Sequence, residues 1–443
     1  MTQDQRVRRT GSLLLAMGIV ALEFAAAVGS FVGSTLLPIV AGDLDARGRL
    51  GLLLAGGTLG FFVALPLANR VLGRLGAHGT LAAGTFAYVG GLSLAAIAQD
   101  AWMFATGQFL SGLAGGVLAV FGVSSAVRQL DDRLRIRVIA ASSAMWIVPA
   151  LIGPAATIGL QHLLGWRWTL LAPLPLVLFG RVLVVRAVRD DPPDQSARQR
   201  PLGRTFLIPL GAACVVLSGG WWPLVIGGTM ITLAGMMTVL PAGTARLRPG
   251  TPAALGAMVL FAVGYFGADS LITVLLTTGF QRSLGQAATV LTAAPLAWAM
   301  TSIVITRLTS TRRFPTAGLS LTALGVSALA VQLVVGGSLA GILAAWTVAG
   351  VGVGAAYPGV YLAATTAGTS GFTAAELATA VITAEATGQL LGRAIGGTLS
   401  SADNTGGLLA SYLLFAVALS ASAVAAKRMS TTRSVSPGRS PHP

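Results

Sequence analysis

Four charged side chains, Glu23, Asp269, Glu385 and Arg393, stand inside long apolar runs of this sequence. At the centre of a membrane helix each costs about 2.5–3.5 kcal/mol on insertion scales, so residues of this kind are rarely decorative. Along helices rising about 1.5 Å per residue, Glu23 lies roughly 21 Å beyond Arg9 and Glu385 roughly 18 Å beyond Thr373, both near mid-membrane. Asp269 and Arg393, counted from Thr251 and Thr373, fall about 27 and 30 Å along, at similar depth toward the outside. A carboxylate and a guanidinium at one depth can form an ion pair, or a hydrogen-bonded contact to substrate, made and broken between conformations. Arg393 also stands two turns from Glu385 in its own run, where the two would form a structural clamp. Glu23 and Glu385 have no evident cation at their depth. Desolvation favours the neutral form of such a carboxyl, which can load a proton from one side and release it to the other. The plainer alternative for Glu23 is a contact to a neighbouring Ser or Gln, with no coupling role.

The elements that position these groups follow from composition. The 443 residues are 54% hydrophobic and 10% charged, with mean hydropathy +0.79. A water-facing surface needs roughly 25% charged residues. Apolar runs fall near 11–40, 50–68, 80–98, 102–127, 138–160, 168–185, 205–219, 222–241, 252–279, 284–306, 315–335, 338–361, 374–399 and 406–426. About 20 apolar residues cross a hydrocarbon core, and the runs lack the alternation of barrel strands. The expected fold is therefore an all-α integral membrane protein of about fourteen helices. The run 205–219, short and carrying Pro209, is the weakest and pairs with 222–241 as a tilted hairpin.

The same inventory excludes several chemistries. Cys214 is the single cysteine, and His78, His162 and His442 lie far apart, so no disulfide framework or metal-ligand spacing is present. The single lysine, Lys427, precedes an arginine, which removes a Walker A loop. No G-x-S-x-G elbow occurs. Glu23 and Glu385 as a carboxylate pair lack histidine or nucleophile companions for catalysis. No enzyme activity, cofactor or metal is expected.

The formal net charge of +15 is a topology signal. With the N-terminus inside, 24 of the 29 Lys and Arg residues fall on that side, four fall outside (Arg47, Arg49, Arg167, Arg282), and Arg393 lies within a span. The positive-inside rule then places both termini in the cytoplasm, and no nucleic-acid partner is expected. The first run is too long for a signal-peptide core and should remain in the mature chain. The expected organisation is a six-helix bundle over 1–185, a basic linker 186–204, a two-helix insert 205–245, a second six-helix bundle 246–428 and a disordered tail 429–443. Lysine-poor, alanine- and arginine-rich composition points to a bacterial plasma membrane. The protein is expected to be a monomer in its bilayer.

Several segments resemble the major facilitator superfamily, and within it the fourteen-helix drug:proton antiporters. The first span ends Ser34-Thr35-Leu36-Leu37-Pro38-Ile39-Val40-Ala41-Gly42-Asp43-Leu44, similar to that family's TALPxIxxDL. Pro149-Ala150-Leu151-Ile152-Gly153-Pro154 is similar to its antiporter motif, and Gly165-Trp166-Arg167-Trp168 to its GWRW. The stretches Gly350 to Pro358 and Gly388 to Gly396 are family-like as well. The loop from Leu67 to Gly76, with Arg70 and Arg74, resembles the gating loop between spans 2 and 3. The resemblance implies two six-helix bundles with two extra central helices, rocking about a cavity bordered by the helices of Glu23, Gln108, Asp269, Glu385 and Arg393. It also exposes departures, since Gly29, Gln108 and Gly73 stand where the antiporters usually carry aspartate, arginine and aspartate. Coupling would then rest on Glu23, Glu385 and Asp269.

Glycines at four-residue spacing (Gly388, Gly392 and Gly396; Gly112 and Gly116; Gly56 and Gly60) allow close helix approach. Pro149 and Pro154, with Gly153 between them, favour a bend. Trp146, Tyr265, Trp298 and Tyr357 offer stacking faces to a lipophilic or cationic substrate, or serve as packing. Trp102, Trp166 and Trp168, at span ends, are expected as interfacial anchors. The function expected is alternating-access export of small organic compounds in exchange for protons; the alternative is an uncoupled facilitator, or an exporter of one metabolite or lipid.

Overall fold

The computed structural model describes residues 3–46, 50–145, 147–187, 202–218, 221–307, 314–366, 371–400 and 405–429. Fifteen helices make up the described chain: α1 (Gln3–Asp43), α2 (Leu50–Ala96), α3 (Ala101–Gln129), α4 (Asp132–Ala144), α5 (Ile147–Leu170), α6 (Leu174–Ala187), α7 (Leu202–Thr205), α8 (Leu207–Val216), α9 (Trp222–Val239), α10 (Thr251–Val274), α11 (Leu284–Arg307), α12 (Pro315–Val335), α13 (Leu339–Ala364), α14 (Ala374–Ser400) and α15 (Thr405–Lys427). Helices satisfy their own backbone groups, which lipid cannot do for them. Among the described residues nine helices are long and apolar enough to cross a bilayer. A bent pair, Ala156–Leu170 and Leu174–Ala187 at 52°, makes a tenth. The linker residues 188–201 and tail residues 430–443 lie outside the described residues.

Spans 2 and 3 are two arms of α2. The apolar stretch Ala55–Ala96 holds 42 residues, about 63 Å of helix and twice a hydrocarbon core. It breaks at Gly76, whose φ of 66° and ψ of −173° leave the helical region. The expected loop over 67–76 is thus helical up to Leu75, because Leu, Ala and Arg dominate it and favour helix; the turn contracts to one glycine. Space around Gly76 is open, so backbone conformation is what selects glycine there. Gly76→Ala is expected to lower stability by about 1–3 kcal/mol, read as a fall in the detergent melting temperature, whereas Gly73→Ala, at an open helical position, should not.

Span 5 is divided between α4 and α5, and Gly165 (φ 77°) breaks α5 before the turn into α6. The π-helical turn Leu275–Gly279 that ends α10 had no signal in the sequence. We call the end at which α3, α6 and α15 finish the inner end, after the charge-based expectation.

Helices α1, α2, α3, α5 and α6 pack chiefly on one another, as do α10 to α15, whereas α4 packs more on α11 and α13 than on its own half. Between them α8 lies on α2 while α9 lies on α14. Phe62 and Leu65, Ile208, Ala212 and Val239, and Ile382, Ala386 and Leu390 form one apolar cluster across this hairpin. The glycine rows are seams. A Cβ at Gly56 or Gly60 would meet the carbonyl oxygens of Ala105 or Phe109, and one at Gly112 that of Gly57, so α2 and α3 touch backbone to backbone. Gly388 and Gly392 meet the carbonyls of Val259 and Val263 in the same way, seating α14 on α10.

Candidate functional site: carboxylates and aromatic rings between the halves

Glu385 lies half-buried on α14, held by Tyr357 of α13. The Tyr357 hydroxyl donates to Oε1 and Oε2, each at 3.2 Å. Glu23, half-buried on α1, stands within electrostatic range of Glu385, Tyr357 and Tyr361. The structure therefore brings two of the expected carboxyls together, one from each half of the chain.

The backbone of α13 is shaped for this contact. Pro358 follows Tyr357 and has no N–H for the carbonyl of Gly354, four residues back. The Ser302 hydroxyl of α11 donates to that oxygen at 3.2 Å, so the buried acceptor keeps a partner. Gly354 also lets α11 approach, since a Cβ there would meet the Trp298 carbonyl. These substitutions seat α11 against α13 and bring Trp298 beside Tyr357.

Asp269 and Arg393 form a second neighbourhood. Arg393 is within electrostatic range of Asp269, yet among the described residues the two form no direct ion pair. Arg393 is exposed and Asp269 half-buried. Tyr265, one turn before Asp269, and Tyr412 of α15 are also within its range. Glu385 faces Tyr357 and Glu23, so the clamp between Glu385 and Arg393 is not what the structure forms.

Tyr265, Trp298 and Tyr357 belong to one aromatic cluster with Phe261, Phe266, Trp346 and Tyr361. Tyr265 stacks between Phe261 (5.7 Å, 12°) and Trp346 (5.4 Å, 7°), and Trp298 stands edge-on to it (5.5 Å, 88°). Both faces of Tyr265 are thus covered by protein, and it is 1% exposed. Trp298 and Tyr357 are half-buried and remain as stacking candidates. Among the described residues, the Tyr265 hydroxyl and the indole N–H groups of Trp298 and Trp346 are buried with no hydrogen-bond partner. Trp346 and Tyr361 escaped the sequence reading; their i, i+11 and i, i+4 spacing from other α13 aromatics was the available signal. Trp146 lies outside the described residues. Gln108 accepts a 3.3 Å bond from the Ser111 hydroxyl on its own helix.

At Gly29 a Cβ would stand 3.3 Å from the Tyr88 hydroxyl. The place where the resembling antiporters carry aspartate is therefore partly occupied by a tyrosine.

At the inner end the halves meet directly. The Thr379 hydroxyl of α14 donates to Asn69 Oδ1 of α2 at 2.9 Å, and Ala378 packs on Ala64, Ala68, Val117 and Val120. Helix α4 lies along α11, whereas α5, beyond the break, touches α11 sparsely. Pro149, Gly153 and Pro154 lie on α5 beyond that break, within continuous helix, with Phe31 against Gly153. Arg74 is exposed beside the Gly76 break, and Arg70 is half-buried one turn earlier.

At the other end two motifs meet that had no stated link in sequence. Trp166 Nε1 and Arg167 Nη1 donate to Asp43 Oδ2 at 3.0 and 2.9 Å, and Arg167 Nη2 reaches the Ala98 carbonyl at 3.0 Å. The guanidinium also lies 4.4 Å from the Trp166 ring centroid. Trp166 is 6% exposed, so it fastens α1, α2 and α5 and is not an interfacial anchor; Trp102 and Trp168 remain exposed at helix ends. The bond from Trp166, then that from Arg167, holds the Asp43 carboxyl below its ordinary range. Such a group stabilises the fold above its unfolded value, near pH 4, and loses that contribution as pH falls through its lowered value. Because Asp43 and Arg167 are half-exposed, Asp43→Asn should cost less than about 1 kcal/mol at pH 7. Melting curves taken from pH 7 downwards check this, the difference from wild type shrinking as pH falls below about 4.

The profile of the Major Facilitator Superfamily matches residues 19–397, and the chain belongs to that superfamily. It is a multi-pass, all-α membrane protein. A probable multidrug-efflux transporter of Mycobacterium tuberculosis is 31% identical over 223 residues, 48% of this chain and 45% of that protein. The multidrug efflux pump SdrM of Staphylococcus aureus is 23% identical over 183 residues, 40% of each chain. The chain thus spans less than half the length of the curated relatives it matches. The Escherichia coli fucose:proton symporter FucP has a similar fold, with TM-score 0.68 and 15% identity over 95% of this chain and 100% of that one.

Proposed function

We propose that this protein is a proton-coupled exporter of small organic compounds, working by alternating access between bundles 1–185 and 246–428, with both termini in the cytoplasm of a bacterium. The observation that carries the reading is the Tyr357-bonded Glu385 with Glu23 of the opposite half in electrostatic range. A carboxyl at the meeting of two moving halves is exposed to one side at a time, which is what a proton carrier needs. Asp269 with Arg393 is a second polar station, and the names of the efflux relatives support an outward-moving cargo. Direct packing at the inner end suits a state open on the opposite side.

The uncoupled facilitator is the second reading, favoured by Gly29 and Gln108 at positions where the resembling antiporters carry charges. Purified protein in liposomes, loaded with a panel of lipophilic cations and neutral drugs under an imposed pH gradient, separates the two. Uphill movement that follows the gradient is expected. Flux that ignores the gradient overturns coupling and leaves the facilitator.

A further inference from the structure

We infer that Tyr357 is the positioning residue through which an occupied cavity releases the proton of Glu385. The inference rests on Glu385 as proton carrier. The Tyr357 hydroxyl is shared between Oε1 and Oε2 at 3.2 Å each. Hydrogen bonds from hydroxyls to carboxylates close to about 2.5–2.7 Å, so this one has slack. Its ring lies against Trp298 (5.1 Å, 63°), Tyr361 (5.6 Å) and Phe261 (5.9 Å). Tyr357 and Trp298 are both half-buried, which leaves part of this aromatic corner open.

A flat guest resting on Trp298 and Tyr357 would hold the phenol against Glu385 and tighten the bond. A donated hydrogen bond favours the charged form of its acceptor, so the carboxyl proton passes to water in the cavity; no covalent bond other than that O–H changes. When the guest leaves, the phenol slackens and the carboxyl reloads. Guest and proton are then held alternately, the sign that exchange in opposite directions requires. The charged and titratable groups facing this centre are Glu23 from α1 and Tyr361 from α13, with Arg135 of α4 within range of Tyr361. Glu23 repels an ionised Glu385, and the Tyr357 hydroxyl offsets that repulsion.

The test uses the full chain in detergent, weakly buffered, with a pH-indicator dye reporting protons and ethidium as a planar guest without a titrating proton near neutrality. Wild type is expected to release protons on binding ethidium. Tyr357→Phe should bind ethidium while releasing at least fivefold fewer protons. Ser422→Ala, which removes a buried hydroxyl bonded to the Ala257 carbonyl at 2.7 Å away from these carboxyls, should behave as wild type. Replacing Tyr357 by 3-fluorotyrosine keeps the ring and strengthens the donor, so release should persist to lower pH; this holds the inference open to refutation should Tyr357→Phe fail to fold. Undiminished release in Tyr357→Phe, equal loss in Ser422→Ala, or an unmoved profile with 3-fluorotyrosine overturns the inference alone. Ethidium binding to wild type without proton release overturns the proton-carrier reading together with it, and absence of ethidium binding overturns the flat-guest premise.

Discussion

Glu385→Gln is expected to lower flux driven by a pH gradient at least tenfold while leaving downhill exchange of the same compound in place. Glutamine keeps the shape of the side chain and an amide oxygen to accept the Tyr357 hydroxyl now bonded at 3.2 Å, so the packing of α13 on α14 should survive. What it lacks is a titrating proton. A carrier that cannot be loaded returns without a proton, and the gradient no longer biases the cycle. The measurement is paired: accumulation against a concentration difference with the gradient imposed, and equilibration with the gradient collapsed. Loss of both would point to a role in cargo binding or folding, and retention of both would remove Glu385 as the carrier. The largest consequence of the site geometry is thus read by separating two fluxes through one preparation.

Gly392→Val is expected to have the largest effect on folding, destabilising by about 3 kcal/mol or more, at the upper end of what overpacking costs. A Cβ at Gly392 runs into the carbonyl oxygen of Val263 and stands 3.0 Å from the amide nitrogen of Gly267. Backbone atoms cannot rotate aside as a long side chain can, so α10 and α14 must separate. Helix α10 is meanwhile tied to α15 by Ser422 on the Ala257 carbonyl (2.7 Å) and Tyr412 on the Ala268 carbonyl (3.1 Å). Moving it would also shift Tyr265 and Phe261 within the aromatic cluster. Gly397, five residues on, has open space around it, so Gly397→Val should be nearly silent. The yield of monodisperse protein after heating, followed by size-exclusion chromatography, distinguishes the two variants.

Much of the architecture is legible without coordinates, because a bilayer imposes its dimensions on the chain. Apolar length, glycine spacing and the distribution of arginine located the helices, their close seams and the residues that lipid does not tolerate. The row Gly388, Gly392 and Gly396 lies against α10, the close approach that its four-residue spacing allows. Glu385 drew attention in sequence for a reason of energy: an ionisable group amid apolar residues is retained against a cost. The same logic marked Asp269 and Glu23.

Pairing was decided in three dimensions. Depth arithmetic along separate helices states how far in a residue lies but not which way it faces, so it could not choose whether Glu385 meets Arg393 or Tyr357. It could not show that both faces of Tyr265 are covered, since stacking depends on Phe261 and on Trp346 from another helix. The meeting of Asp43 with Trp166 and Arg167, more than a hundred residues apart in the chain, was likewise unreadable. One-dimensional order records the local preferences of each helix, which lipid and backbone hydrogen bonding determine segment by segment. Contacts between helices are set by rotation about each axis, and that rotation is chosen only when all the seams close together.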